Sequence, residues 1–265
     1  MNPQTRWRFL AASAFGAAML ASIANVFAAT AEPGRLQIPA SPLPQSASLG
    51  LQKLGGRNGV LYIPSNYRPS EPLPLLVLLH RARGSSAEWF RGSGKGAHGP
   101  YAAHADDGGF IILAPEAPGQ TWGAGPKTWG HDFVSINQAL EAASARCAID
   151  RNRLAIGGFS DGASYALSLG LANGDLFGDV IAFSPGFFVG GKARGKPSPQ
   201  IFVSHGIGDR VLPIDVSSRA FVPGLRKNGY KIDFQEFSGG HDLPPAIRDQ
   251  AMAWLKRNWK VEGRK

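Results

Sequence analysis

Arg153-Leu154-Ala155-Ile156-Gly157-Gly158-Phe159-Ser160-Asp161-Gly162-Ala163 is the stretch whose reading decides the fold. A short apolar run ends in Gly158-Phe159-Ser160-Asp161-Gly162, and a helix-like run from Ala163 to Ala172 follows it. This is G-x-S-x-G in a strand–turn–helix setting, where a serine on a sharp, strained turn holds its hydroxyl out from the sheet edge. Gly158 and Gly162 flank Ser160 two positions away on either side, where a Cβ would collide with a neighbouring strand or helix. The helix beginning after Ser160 aims its free N–H groups at developing negative charge.

A serine hydroxyl alone is a poor nucleophile and needs a base and an orienting acid. Ile201-Phe202-Val203-Ser204-His205-Gly206-Ile207-Gly208-Asp209 reads as a buried strand running into a Gly-rich turn that carries Asp209. Lys231 to Phe237 alternates like a strand, and Ser238-Gly239-Gly240 then releases the chain into His241. Asp209 and His241 are 32 positions apart, room for one helix and one strand between them. Asp215 falls beyond the strand end and Asp233 lies inside a strand, so Asp209 is the expected acid.

These three motifs, with Leu78-Leu79-His80, resemble the α/β-hydrolase superfamily. Within it the chain is similar to the phospholipase/carboxylesterase group and to secreted esterases of the polyhydroxybutyrate-depolymerase and feruloyl-esterase type. The likeness runs from about Gly59 to the C-terminus. It implies an α/β-hydrolase fold, a mostly parallel doubly wound sheet with helices on both faces and no substantial cap domain. It also implies hydrolysis of carboxylic esters through an acyl-enzyme, with Ser160 as nucleophile, His241 as base and Asp209 as acid. The oxyanion donors implied are the backbone N–H groups of Asp161 and Ala82. The chain departs from the usual His-Gly pattern at Arg81, where a positive φ would strain a non-Gly residue. Arg81 or Arg83 could then clamp a carboxylate on the substrate, with solvent-facing side chains as the alternative. A serine peptidase of the same fold and a non-catalytic envelope binding protein are the competing functional readings. No metal or organic cofactor is required, and the implied partner is a small-molecule ester.

The formal charge is +9, yet Lys and Arg are scattered with no basic run longer than two, which argues for a basic envelope protein rather than a nucleic-acid binder. Cys147 is the single cysteine, which excludes an intrachain disulfide and reads as a small buried hydrophobe. Arg6 and Arg8 precede an Ala-rich apolar stretch from Phe9 to Ala24. With Val26-Phe27-Ala28 or Ala29-Thr30-Ala31 as cleavage site, residues 1–28 read as a signal peptide, and the protein as exported to the periplasm or secreted. No integral membrane segment is expected after its removal, which takes away two arginines and no acidic residue and leaves +7. Residues 29–54, rich in Pro, Ser and Gln, read as an extended arm, and residues 55–265 as the catalytic domain.

The body alternates strands and helices. Strands are expected at Gly59–Pro64 (antiparallel, with a companion nearby), Leu73–Leu79, Phe110–Ala114, Leu154–Gly157, Val180–Phe183, Ile201–Ser204 and Ile232–Phe237. Helices are expected at Asp132–Ala145, Ser217–Lys227 and Pro245–Trp259. With only the loop Pro185–Gln200 as an extra, the site should be open and shallow. His80 and His205, at strand ends, are expected to hold loops. His98, His104 and His131 lack metal-ligand spacing. Arg91 to Gly96 mimics a phosphate loop without its required Gly and Ser/Thr, and reads as a plain loop. Trp122 and Trp129 could form an aromatic wall for the substrate, or pack as core beneath the loop.

Overall fold

The computed structural model describes residues 32–40, 47–56, 58–92, 99–123, 129–189 and 198–260. The segment read as a signal peptide lies outside them, as do 93–96 of the phosphate-loop mimic, His98, and 190–197 of the loop after the sixth strand.

Eight strands form one sheet in the order β1-β2-β4-β3-β5-β6-β7-β8. They are β1 (Gly50–Lys53), β2 (Val60–Ile63), β3 (Leu73–Leu79), β4 (Ile111–Ala114), β5 (Ile149–Phe159), β6 (Asp179–Phe183), β7 (Gln200–Gly206) and β8 (Ile232–Phe237). Pairing is antiparallel for β1 with β2 and β2 with β4, and parallel from β4 to β8. The apolar runs explain the centre: Leu75 to Leu79 and Ile111 to Ala114 are fully buried, as strands covered on both faces must be.

Five α-helices connect them among the described residues: α1 (Gly99–Gly108), α2 (Asp132–Ser144), α3 (Asp161–Ala172), α4 (Ser218–Lys227) and α5 (Pro245–Lys260). Helix α3 is buried on nearly every side, from Gly162 to Leu171, which accounts for its lack of a polar face. Helix α5 buries Ile247, Ala251, Met252, Trp254 and Leu255, with the Trp254 ring 5.8 Å from that of Phe202 on β7. Among the described residues no helix is long and apolar enough to cross a membrane.

The topology fixes where chemistry can occur. The chain steps outward from β3 to β4, then crosses back to place β5 on the other side of β3. At such a switch point the loops leaving the two central strands diverge and open a crevice at their carboxyl ends. Ser160 directly follows β5, and His80 directly follows β3.

The residues read as an arm pack against this body. Leu36 and Ile38 are buried, and Asn173 binds the segment through its amide, accepting from Leu36 N–H at 2.9 Å and donating to Gly34 O at 2.8 Å. Arg35 pairs with Asp175, and Gln37 N–H donates to Asn137 Oδ1 at 2.8 Å. Residues 50–53 are a strand of the sheet itself, β1, the companion expected for β2.

Candidate active site

Ser160 sits at φ 60° and ψ −121°, a conformation costing roughly 1–3 kcal/mol for a residue with a Cβ. The surroundings hold it there. Its N–H donates to Phe183 O at 2.9 Å, and its carbonyl accepts from Ser164 N–H at 3.0 Å and Ser164 Oγ at 3.2 Å. The flanking glycines are explained by space. A Cβ on Gly162 would lie 2.2 Å from Leu79 O and 2.4 Å from His80 O, and one on Gly158 would lie 2.5 Å from the Gly162 carbonyl. Helix α3 therefore starts hard against the end of β3, and only glycine permits that approach.

The three residues singled out in the sequence converge at this edge. Ser160 Oγ is 2.7 Å from His241 Nε2, and His241 Nδ1 is 2.6 Å from Asp209 Oδ2. In the arrangement these contacts permit, the hydroxyl donates to Nε2 and Nδ1–H donates to the carboxylate. The Asp209 side chain is fully buried. Burial pushes its carboxyl pKa up, but the Leu212 N–H, His241 and the Val211 N–H outweigh that and hold it below the usual carboxylate range. Both N–H groups meet Oδ1, at 2.9 and 2.8 Å, leaving Oδ2 for His241. The competing carboxylates lie elsewhere: Asp215 pairs with Arg219, and Asp233 accepts from Gln235.

His205 and His80 act as loop holders. His205 donates from Nε2 to Leu212 O at 2.8 Å, with the same nitrogen 3.2 Å from Asp209 Oδ2, and its Nδ1 faces Ser218 Oγ at 2.8 Å. Burial drives its pKa down, against the opposing pull of the Leu212 carbonyl and Asp209, so the ring stays neutral. His80 Nε2 accepts from Ala117 N–H at 3.1 Å, which places its proton on Nδ1, 2.8 Å from Arg81 O.

The loop after β3 is tied to the loop after β4. Trp122 Nε1 donates to His80 O at 2.7 Å, Arg83 N–H donates to Gln120 O at 2.5 Å, and Glu116 accepts from Ser86 N–H and Oγ at 2.9 and 2.6 Å. Trp122 N–H also donates to Asp161 Oδ2 at 2.7 Å, joining this assembly to the elbow. Among the described residues no acceptor meets the Ala82 N–H or the Asp161 N–H, the latter at the first position of α3 where no intrahelical acceptor exists.

Of the two readings of the tryptophans, core packing holds for Trp122, which is 2% exposed and stacks on Tyr165 beneath the loop, and the Trp129 ring packs against Gly34. The positive φ of the Arg-rich loop falls at Arg83 (57°) and not at Arg81. Arg81 instead directs its guanidinium toward Glu88, 3.4 Å away, and is 48% exposed. Phe159, unremarked as the variable position of the motif, stacks on His241 with ring centroids 5.0 Å apart. Beside it opens a cleft of about 200 Å³ lined in part by His80, Arg81, Phe159, Leu243 and Arg248.

A mostly parallel sheet whose elbow serine meets a histidine at the carboxyl edge defines an α/β-hydrolase. The profile of the Phospholipase/Carboxylesterase family matches residues 131–257. Feruloyl esterase C of Emericella nidulans is 30% identical over 221 residues, covering 74% of this chain and 80% of that protein. A probable feruloyl esterase C of Aspergillus terreus is 30% identical over 166 residues, covering 63% of this chain and 60% of the relative. The crystal structure of esterase PE8 superposes with a TM-score of 0.58 at 20% identity, over 79% of this chain and 99% of that one, a likeness of fold. The chain belongs to the α/β-hydrolase esterases, the family of the Emericella feruloyl esterase.

Proposed function

We propose that the protein hydrolyses carboxylic esters through an acyl-enzyme formed on Ser160. The observation that carries this reading is the continuous hydrogen-bonded line from Ser160 Oγ through His241 to the buried Asp209 carboxylate, 2.7 and 2.6 Å long in its two links. As Oγ attacks the ester carbonyl, its proton passes to His241 Nε2, and Asp209 stabilises the resulting imidazolium. The N–H groups of Ala82 and Asp161, which meet no acceptor among the described residues, are the donors for the oxyanion, each worth about 10²–10³ in rate. His241 then gives its proton to the leaving alcohol. Water attacks the acyl-enzyme by the reverse route, releasing the acid and regenerating Ser160. We further propose that residues 1–28 are removed on export, so that the enzyme works in the periplasm or outside the cell.

The test uses purified protein with p-nitrophenyl acetate and butyrate beside the matching p-nitroanilides. Ester turnover that disappears in Ser160→Ala, with no anilide cleavage, is the expected result. Anilide cleavage at comparable rate would make the protein a peptidase, and inertness toward every substrate would make it a binding protein. N-terminal sequencing of the exported form checks the cleavage after Ala28.

A further inference from the structure

The cleft beside Phe159 is built for negative charge. Three arginines line it, Arg81, Arg91 and Arg248, against the single carboxylate of Glu88. Arg91 has no acidic partner among the described residues. Arg248 is held by Asp249, whose Oδ1 receives both Nε at 2.8 Å and Nη2 at 2.7 Å. That contact orients the guanidinium, leaving the lining with an excess of positive charge.

Two aromatic residues of the lining carry buried polar atoms. Trp89 Nε1 and Tyr101 Oη are both sealed from solvent and have no hydrogen-bond partner among the described residues. Trp89 is 7% and Tyr101 4% exposed, and their rings meet edge to face at 5.1 Å. Both atoms therefore lie behind the wall of the cleft, and the remaining atoms of the two residues line it. The cleft thus presents three guanidinium groups against the one carboxylate of Glu88, a set that matches a carboxylate better than a cation.

The position is as informative as the chemistry. Phe159 precedes the nucleophile, Arg81 precedes the oxyanion donor Ala82, and Leu243 follows the base by two residues. The cleft is therefore lined by chain neighbours of the nucleophile, the oxyanion donor and the base. We infer that the preferred substrates are esters carrying a second, free carboxylate, which the cleft receives through Arg91 and Arg248. The inference rests on the ester hydrolysis proposed above and names its substrate class.

The carboxylate could stand on the acyl or the alcohol side, and the experiment separates them. The acyl arm compares the p-nitrophenyl hemiester of succinate with the p-nitrophenyl ester of methyl succinate. The alcohol arm compares 4-carboxyphenyl acetate with its methyl ester. All rates are corrected for the Ser160→Ala background. The expected result is a kcat/KM about tenfold higher for the anionic member of one pair, carried by KM and weakened by added salt. That preference should collapse toward unity in Arg91→Gln/Arg248→Gln. Turnover of the neutral esters with no anionic preference in either arm overturns the subsite and leaves the hydrolase reading standing. A preference that survives the double arginine variant also overturns it. Absence of turnover on every ester overturns both readings together.

Discussion

The N–H of Gly208 donates to the carbonyl of Gly239 at 2.8 Å, joining the loop that carries the acid to the loop that carries the base. One step back, Ile207 N–H donates to Phe237 O at 2.9 Å, so the β7–β8 ladder continues beyond both strands. A Cβ on Gly206 would lie 2.2 Å from Gly240 O. The distance between Asp209 and His241 is thereby set by backbone pairing, before their side chains meet. Replacing Gly206 by Ala should force these loops apart and lower kcat at least tenfold. Steady-state kinetics, with circular dichroism to verify folding, measures this.

Gly162→Ala should be more severe, because its Cβ meets two backbone carbonyls, Leu79 O and His80 O, at 2.2 and 2.4 Å. Neither can swing aside as a side chain would. A loss of several kcal/mol in stability or of at least about 10²-fold in kcat is expected. Denaturant unfolding and kinetics on the same preparation distinguish the two. An unperturbed variant would mean that the elbow is looser than these contacts require.

Asp209→Asn should lower kcat by about 10³–10⁴-fold with a small change in KM, since an amide favours the wrong imidazole tautomer. Asp215→Asn should leave kcat within twofold, because Asp215 pairs with Arg219 in an exposed position.

His205 makes stability depend on pH. Its folded-state pKa is depressed, chiefly by burial, so the unfolded chain takes up the proton more readily. The stabilisation is fully present above the unfolded pKa, near 6.5, and is lost as pH falls through the folded value. Urea unfolding from pH 8 down to 5 should show stability declining below about pH 6.5. The decline should be shallower in His205→Gln, which cannot take up a proton.

Trp122→Phe removes the 2.7 Å hydrogen bond to His80 O and leaves that carbonyl buried without its donor, at about 1–3 kcal/mol. The loop bearing Ala82 should lose precision, with kcat falling more than KM rises. A change confined to KM would return Trp122 to the role of substrate contact.

Much of this was legible in the sequence because local chemistry and global fold agree there. Leu73–Leu79 and Ile232–Phe237 are the expected strands residue for residue, and Ser160, Asp209 and His241 lie in motifs whose glycines are required by contact. Cys147, read as a buried hydrophobe, is fully buried, with its thiol pushed up to about 12 by burial. What was illegible depends on tertiary contact. Helix α1, Gly-Pro-Tyr-Ala-Ala-His-Ala-Asp-Asp-Gly, has no apolar stripe beyond Tyr101, Ala102 and Ala105, and packing rather than propensity makes it a helix. Strand β5 begins at Ile149, five residues before its apolar run, because Ile149 pairs with Leu73 of β3 across a register shift. Whether Trp122 faces substrate or core depends on the carbonyl of His80, 42 positions away, and no periodicity encodes that.

The central claim is that the hydroxyl of residue 160 is the group that becomes acylated. Treating the protein with a fluorophosphonate and mapping the adduct by mass spectrometry tests it directly. One adduct is expected, on Ser160, accumulating in step with loss of ester turnover and absent from His241→Ala on the same timescale. Full turnover with Ser160 unmodified, or an inactivating adduct on another residue, would contradict it.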